Sequence, residues 1–261
     1  MTDRGVAWAT IDHPPMNLWD VELSFELARV IGEVEADDDV HVLVFASADP
    51  EFFIAHADVK MILDLPGEPD EVTEPGIAVR LLDRLRSMPK ITIAAIGGIA
   101  RGGGAEIALS CDLRYVTPSA RIGQPEVLLG IIPGAGATQR LARLVGRARA
   151  LEHVVTGLDI TGEEAAANGW ANALFPDGDL HDRVRDLAQH VAAQPAEAVR
   201  QAKRAVDAAF WDPLPGWIAE VKGFYATLRE PDVRERLTRF TEIGGQTRDA
   251  ELDFESLRRR L

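Results

Sequence analysis

The chain has 261 residues, of which 46% are hydrophobic, and this is enough apolar sequence to bury a sizeable core. Its 28 Lys and Arg residues against 42 Asp and Glu residues give a formal net charge of −14. Because an acidic surface repels phosphate backbones and anionic lipid, we expect neither a nucleic acid nor a membrane to be its main partner.

The first part of the chain alternates between predicted strands and predicted helices. Alternating or continuous apolar runs predict strands at 6–12, 40–48, 90–98 and 112–117. Between the first two strands, apolar residues at helical spacing predict an amphipathic helix, namely Leu23, Leu27, Val30, Ile31 and Val34. A second helix is predicted at 78–88. Strands that alternate with helices up to about residue 175 indicate an α/β architecture.

Beyond this part the pattern becomes helical. Helices are predicted at 180–193, 196–210, 216–228, 231–243 and 253–261. The chain is therefore divided into an α/β core at 1–195 and a helical C-terminal region at 196–261.

The cellular setting is predicted from cysteine usage and hydropathy. Cys111 is the only cysteine, which excludes an intrachain disulfide and suits a reducing compartment. The N-terminus lacks the pattern of a signal peptide, and no apolar stretch approaches the ~18 residues of a membrane span. We expect a cytoplasmic protein.

Several common chemistries have no motif in this sequence. Two stretches are rich in glycine, GGIARGGGAE at 97–106 and GIIPGAGATQ at 130–139, but neither contains GxGxxG. The chain also contains no GxxxxGK[ST], HExxH or GxSxG. The six histidines show no metal-ligand spacing. We therefore expect neither a bound dinucleotide nor a metal ion.

The stretch RGGGAEIALSCD at 101–112 places one carboxylate, Glu106, in an apolar run after three glycines. Gly102 to Gly104 follow a predicted strand and lead into a helix, whose first N–H groups have no partner within the helix. Glu106 lies three residues beyond Gly103 and therefore near the same face of that helix. The segment offers a donor for an oxyanion together with a candidate base, although a Glu in a helix more often points to water.

A second carboxylate, Glu126, occurs in GQPEVLLGIIPGAG at 123–136. Pro125 suits the first turn of a short helix and Gly130 suits its end. An apolar setting raises the pKa of a carboxyl group toward neutrality, as acid–base catalysis requires. The alternative is a first-turn charge that only favours the helix dipole.

Residues 89–146 closely resemble the core of the crotonase superfamily, and especially the enoyl-CoA hydratases. The resemblance runs through the GGG-x-E, CD, GQPE and PGAGxTQRL motifs, and a weaker similarity extends from the first strand to about residue 245. It implies an α/β fold that is a spiral of ββα turns. It also implies a helical C-terminal region that packs in homotrimers, often paired into hexamers.

The resemblance implies a reaction as well as a fold. The substrate is an acyl-CoA thioester, whose carbonyl is held by the backbone N–H groups of Ala57 and Gly103. Glu106 activates the water that adds at C3, and Glu126 gives a proton to C2. Isomerases of the superfamily commonly keep one of these glutamates, so the pair favours hydration. No metal or redox cofactor is implied, since coenzyme A enters as part of the substrate.

Further contacts to the substrate are implied for His56, Asp58, Lys60, Gly102, Gly104, Pro133 and Gly134. The family usually has glycine where His56 stands, so this side chain either changes the loop, enters the acyl pocket or is a partly exposed loop histidine without a chemical role. A basic KRxP-like stretch is also missing, because FTEIGGQTRDAE occupies residues 240–251. The sequence leaves open how the CoA nucleotide is held.

Two other functions stay open at this point. His56 suggests isomerisation or hydrolysis of an acyl-CoA on the same fold. A homologue that binds acyl-CoA without turnover is the remaining alternative. Outside the motifs, Asp112 is expected to anchor a strand turn, Cys111 to be a small buried side chain, and Arg140 to serve packing.

Overall fold

A computed structural model of the protein describes residues 2–65, 73–208, 214–230 and 232–261. Its larger sheet has six strands in the order β1-β2-β3-β5-β7-β10. Only β1 runs antiparallel to its neighbour in this sheet. These strands are Thr2–Asp3, Val6–Ile11, Val42–Ser47, Ile91–Ile96, Leu113–Val116 and Ala173–Leu174.

A smaller sheet of four strands has the order β4-β6-β8-β9. In this sheet β4, β6 and β8 run parallel, and β9 is antiparallel to β8. The four strands are Phe52–Ile54, Ile99–Arg101, Arg121–Gly123 and Ile160–Thr161.

The helices of the described residues lie between and after these strands. The helices up to the end of the second sheet are α1 Val21–Ala36, α2 Val59–Leu63, α3 Ile77–Ser87, α4 Gly103–Ser110, α5 Ala137–Leu144, α6 Gly146–Thr156 and α7 Gly162–Ala167, with a 3₁₀ helix at Pro125–Leu129. The later ones are α8 Leu180–Ala192, α9 Ala196–Asp207, α10 Leu214–Leu228, α11 Val233–Glu242, α12 Arg248–Leu252 and α13 Phe254–Arg258.

The chain repeats one path three times. A strand of the large sheet is followed by a strand of the small sheet and then by a helix: β3, β4 and α2, next β5, β6 and α4, and then β7, β8 and the 3₁₀ helix. This is the spiral of ββα turns that the crotonase resemblance predicts, and the predicted fold is confirmed.

The large sheet is covered on both faces, as the continuous apolar run of β5 predicts. Ile93 and Ala95 of that strand pack with Leu180 and Val184 of α8 on one face. Ala94 and Ile96 join the main core on the other face, together with the buried side of α1, α3 and α4. The site-bearing helix α4 is therefore held against a rigid sheet, with all eight of its residues buried.

Helix α4 approaches β4 closely, and Gly104 makes this possible. A Cβ at this position would collide with the carbonyl oxygen of Ile54 and lie 2.8 Å from its Cβ. We expect Gly104→Ala to lower the free energy of unfolding by about 1–3 kcal/mol or more, because backbone must shift. Urea unfolding checks this against Gly178→Ala, since no heavy atom lies within 4 Å of a Cβ at Gly178. Equal midpoints for the two variants would contradict it.

The C-terminal helices pack on the chain's own core. Leu237 and Phe240 of α11 and Leu257 of α13 form an apolar cluster with Val59 of α2 and Leu129 of the 3₁₀ helix. The single helix predicted at 253–261 is wrong in its length. Asp253 ends α12, and its side chain accepts a hydrogen bond from the backbone N–H of Ser256 at the start of α13.

The other predicted C-terminal helices are present where the structure describes them. The predicted helix at 196–210 is seen as α9, with residues 209–210 outside the described residues, and residue 231 of the predicted helix at 231–243 lies outside them too. The division of the chain at 195 stays a prediction. Within the described part of the chain, no helix is long and apolar enough to cross a bilayer.

Candidate active site

Gly102 and Gly103 form a sharp turn between β6 and α4. Gly102 has a φ of +45°, in the left-handed region that favours glycine. A Cβ on Gly102 would lie 3.0 Å from Oε1 of Glu126, so the absence of a side chain lets that carboxyl group approach the backbone. Gly103 is the first residue of α4, and its N–H has no acceptor within the helix.

Ala57 lies directly beside Gly103. A Cβ on Gly103 would be 3.3 Å from the backbone nitrogen of Ala57 and 2.5 Å from Cε3 of Trp19. Trp19 fixes the loop on both sides of Ala57, because its N–H donates to the carbonyl of His56 and its carbonyl accepts from Asp58, each at 2.9 Å.

The N–H groups of Ala57 and Gly103 are both left without an acceptor in the part of the chain that the structure describes. Two neighbouring main-chain donors without an internal partner can hold an oxygen that gains negative charge. The structure thus brings together the two residues predicted to form an oxyanion hole.

Glu126 stands next to this pair of donors. It lies in the 3₁₀ helix, which begins with Pro125 and ends at Gly130 in the left-handed conformation, as predicted. With its amide nitrogen facing the carboxylate, the buried Gln124 donates to both oxygens of Glu126 at 3.2 Å. The carboxyl group is half-buried and borders the same cavity as Ala57 and Gly103.

Glu106 is buried in α4 with 3% of its surface exposed. Its Oε1 accepts hydrogen bonds from the N–H groups of Ala135 and Ala137, at 2.8 and 3.0 Å. Burial raises the pKa of Glu106, and these two hydrogen bonds and the charge of Arg140 offset only part of that rise. Glu106 is therefore a buried carboxyl group in an apolar setting, and its pKa lies above the ordinary value.

A cavity of about 40 Å³ joins most of these groups. It is lined by His56, Ala57, Gly102, Gly103 and Glu126 together with apolar side chains, among them Phe240 and Phe254 of the C-terminal helices. The two glutamates differ in this respect, because Glu106 does not line the cavity and Glu126 does.

Comparison with known protein families gives a match over most of the chain. A sequence model of the enoyl-CoA hydratase/isomerase family matches residues 1–248. The chain belongs to this family. It is 34% identical to a short-chain-enoyl-CoA hydratase of Clostridium acetobutylicum over 91% of both chains. It is 35% identical to the mitochondrial enoyl-CoA hydratase of Pongo abelii, over 83% of this chain and 74% of that protein.

Solved structures agree with the sequence relatives. A Streptomyces avermitilis structure, named only provisionally as an enoyl-CoA hydratase, superposes with a TM-score of 0.90 at 35% identity. That alignment covers 99% of this chain and 96% of the other. An enoyl-CoA hydratase structure from Bacillus anthracis gives a TM-score of 0.72 at 30% identity, covering 92% and 93% of the two chains.

Three other residues predicted to contact the substrate, namely Asp58, Lys60 and Gly104, do not line the 40 Å³ cavity. Asp58 caps α2 by accepting from the backbone N–H of Lys60 at 2.9 Å, and it also accepts from the side chain of Gln246 at 2.7 Å. Lys60 is exposed. Gly104 faces Ile54 rather than the cavity.

Pro133 and Gly134 begin the loop that leads to the two N–H donors on Glu106. Gly134 packs against Phe224, since a Cβ there would meet that ring at 3.4 Å. Neither residue lines the 40 Å³ cavity. In this family member the loop serves at least to hold Glu106 in place.

Three residues with structural predictions behave as expected. Asp112 accepts from the N–H and hydroxyl of Thr92 and from Nζ of Lys203, and so anchors the turn before β7. Cys111 is buried, and burial raises the pKa of its thiol to about 12. Arg140 is buried and donates to the carbonyl of Ala135 at 2.7 Å.

A larger cavity of about 600 Å³ lies elsewhere, between β7, α5 and α9. Leu109, Arg114, Lys203 and Val206 are among its lining residues, whereas Glu126 and the two oxyanion donors are not. Among the described residues, no group of three His, Cys, Asp or Glu side chains is placed to hold a metal ion.

His56 is buried and lines the cavity beside the oxyanion donors, and both of its ring nitrogens are close to other protein groups. Its Nδ1 is 2.8 Å from the carbonyl oxygen of Ala57, and its Nε2 is 2.9 Å from Oε1 of Glu251 on α12. The interpretation of His56 as a partly exposed loop histidine is wrong, because 7% of its surface is exposed. Nothing in the sequence points to Glu251. The only feature noted for residues 240–251 is the missing KRxP-like stretch.

Proposed function

We propose that the protein is an enoyl-CoA hydratase, which adds water across the double bond of a trans-2-enoyl-CoA to give a 3-hydroxyacyl-CoA. One observation carries the proposal: the N–H groups of Ala57 and Gly103 lie side by side with no acceptor among the described residues, and the carboxyl group of Glu126 borders the same cavity. Membership of the enoyl-CoA hydratase/isomerase family supports it.

The two N–H groups would bind the thioester carbonyl. When the oxygen of water bonds to C3, electrons move through the double bond to the carbonyl oxygen and form an enolate. Donors fixed by the backbone stabilise that charge without reorganising, and one such donor contributes about 3–4 kcal/mol to the transition state.

The two glutamates would move the protons. Glu106 accepts one proton of water while the hydroxyl oxygen bonds to C3, and Glu126 gives a proton to C2. Proton exchange between the carboxyl groups then restores the starting state, so one water is consumed. The raised pKa of Glu106 supports its role as proton acceptor, since a carboxylate of ordinary pKa is a weak base.

The remaining expectations extend this proposal. Coenzyme A is part of the substrate, no other cofactor takes part, and the substrate-binding roles of Lys60, Pro133 and Gly134 rest on the family resemblance alone. A homotrimer or hexamer in the cytoplasm is proposed on the same basis. Helix α9 supports assembly, because none of its residues is buried and Val206 is 63% exposed.

Turnover of a four-carbon trans-2-enoyl-CoA tests the function. We expect the ultraviolet absorption of the conjugated thioester to fall on addition of the protein, and the product to gain the mass of one water. The test extends to longer unsaturated acyl-CoAs of graded length, which defines the substrate range in the same assay.

Other products would contradict hydration. Free thiol released from CoA means hydrolysis, a product of unchanged mass with a moved double bond means isomerisation, and binding without turnover means a non-catalytic homologue. The structure gives hydrolysis through His56 little support, because both ring nitrogens are within hydrogen-bond distance of protein acceptors.

A further inference from the structure

His56 connects the oxyanion loop to the C-terminal helices. Its two ring nitrogens lie 2.8 Å from the carbonyl oxygen of Ala57 and 2.9 Å from the carboxylate of Glu251. Both partners only accept hydrogen bonds, so both ring nitrogens donate and the ring is an imidazolium. Burial opposes this charge and lowers the pKa of His56, but Glu251 and the bond to Ala57 raise it above the ordinary value.

Glu251 is completely buried, and its carboxylate contacts other residues besides His56. Its Oε1 also accepts from the N–H of Gln246 at 3.0 Å, and its Oε2 is 3.3 Å from Nη1 of Arg101. Arg101 in turn donates to both carboxylate oxygens of Asp159, with the closest contact at 2.7 Å. Two positive and two negative side chains therefore form one neutral cluster, which we call the His56–Glu251 cluster (His56, Arg101, Asp159 and Glu251). Three of the four are buried, and Asp159 is partly exposed.

The cluster borders both halves of the oxyanion hole. His56 directly precedes Ala57, and Arg101 stands two residues before Gly103. Glu251 contacts both of these neighbours from α12. The two strands that present the oxyanion donors are thus joined through one carboxylate of the C-terminal region.

The bond from Nδ1 of His56 acts on the oxyanion loop itself. It fixes the carbonyl of Ala57, and this carbonyl and the N–H of Ala57 belong to the two peptide planes that meet at the Ala57 Cα. Rotation of this residue would turn the donor away from Gly103. Small displacements of a catalytic donor have large effects, since a misplacement of 1 Å can reduce a rate about a hundredfold.

We propose that His56 is a positioning residue for the oxyanion hole, and that its ion pair with Glu251 couples the geometry of the hole to the docking of α12. This inference rests on the proposed function. It gives His56 a role at a position where the family usually has glycine, and that role needs no contact between the imidazole and the reacting atoms.

The proposal has a definite pH dependence. The charged groups that face His56 are Glu251 of α12 and Arg101 of β6, with Asp159 behind Arg101 and Glu126 across Gly102. The imidazolium is the form that makes both bonds. Above its raised pKa the neutral ring keeps one proton, which stays at Nε2 because the carboxylate of Glu251 is a stronger acceptor than the carbonyl of Ala57, so the bond to Ala57 is lost. The contribution of His56 to kcat is therefore complete below this pKa and falls as the pH increases through it.

Two neutral variants separate the two bonds. The amide nitrogen of His56→Asn takes the place of Nδ1 and keeps the bond to Ala57, whereas that of His56→Gln takes the place of Nε2 and keeps the bond to Glu251. We expect kcat to fall about tenfold to a hundredfold in His56→Gln with little change in KM, and to fall much less in His56→Asn. His153→Gln, a buried histidine that does not line the cavity, is the matched control.

The pH profile of kcat provides a readout that a purely structural role would not move. The alkaline fall should disappear in both neutral variants, and in Glu251→Gln it should move to lower pH because His56 loses its anionic partner. Variants that unfold at the wild-type temperature and keep the wild-type kcat and pH profile would overturn the proposal. If His56→Gln does not fold, His56→Asn and Glu251→Gln decide the question.

Failure of the proposed function is distinguishable from failure of this inference. Wild-type protein that turns over no enoyl-CoA overturns the hydratase proposal. The titration of His56 by nuclear magnetic resonance needs no substrate and should show a pKa above the ordinary range that drops in Glu251→Gln. A wild-type His56 that titrates in the ordinary range overturns the ion pair and with it the positioning role.

Discussion

Glu126→Gln is expected to lower kcat for hydration by about 10²–10⁴-fold, the usual contribution of a positioned acid or base. Glu126 borders the cavity beside both oxyanion donors, so its loss removes a proton donor without removing the oxyanion hole. Glutamine has the same shape, and we therefore expect KM to change little. The measurement is the initial rate at which the absorption of a four-carbon trans-2-enoyl-CoA falls.

A matched variant separates chemistry from a general effect of removing charge. Glu163 is an exposed glutamate in the first turn of α7, and Glu163→Gln should keep the wild-type rate. Glu126 is only half-buried, so its variant should unfold near the wild-type temperature. Equal rates for the two variants would remove Glu126 from the mechanism.

The long elements of the fold could be predicted from the sequence because each has a clear hydrophobic period. The predicted strands at 40–48 and 90–98 correspond to β3 and β5, and the predicted helix around Leu27 corresponds to α1. The strands of the small sheet were not predicted. β4, β6 and β8 have three residues each, which is too short to establish a period of two.

The candidate site also has a part that the sequence predicts and a part that it does not. Gly102, Gly103 and Glu126 could be predicted because turn chemistry and motif order are local properties of the chain. The partner of His56 could not, since 195 residues separate His56 from Glu251 and only tertiary packing brings them together. A glutamate in an otherwise ordinary C-terminal helix carries no local signal of burial.

The environment of Glu106 shows a related limit. The apolar run around it predicts burial correctly, but burial alone would leave a charged group without partners. The loop after Pro133 supplies them, because the N–H groups of Ala135 and Ala137 point at Oε1. The sequence does not show this contact, because the two donors lie about thirty residues from Glu106 along the chain. The contact fixes the direction of the carboxylate.

The second large effect is expected at Glu106, where two substitutions separate catalysis from folding. Glu106→Gln and Glu106→Ala should each lower kcat by about 10²–10⁴-fold, because neither side chain can accept the proton of water. Their stabilities should differ. Glutamine keeps an oxygen that can accept from Ala135 and Ala137, whereas alanine leaves two buried N–H groups unpaired, each at a cost of about 1–3 kcal/mol.

Thermal unfolding and the hydration assay together check this expectation. A difference of this size corresponds to a melting temperature several degrees lower for Glu106→Ala than for Glu106→Gln, at about 2–4 °C per kcal/mol for a chain of this length. If Glu106→Gln hydrates at the wild-type rate, Glu106 only anchors the loop after Pro133. Because Glu106 does not line the cavity and Glu126 does, that result would assign the proton transfers to Glu126 alone.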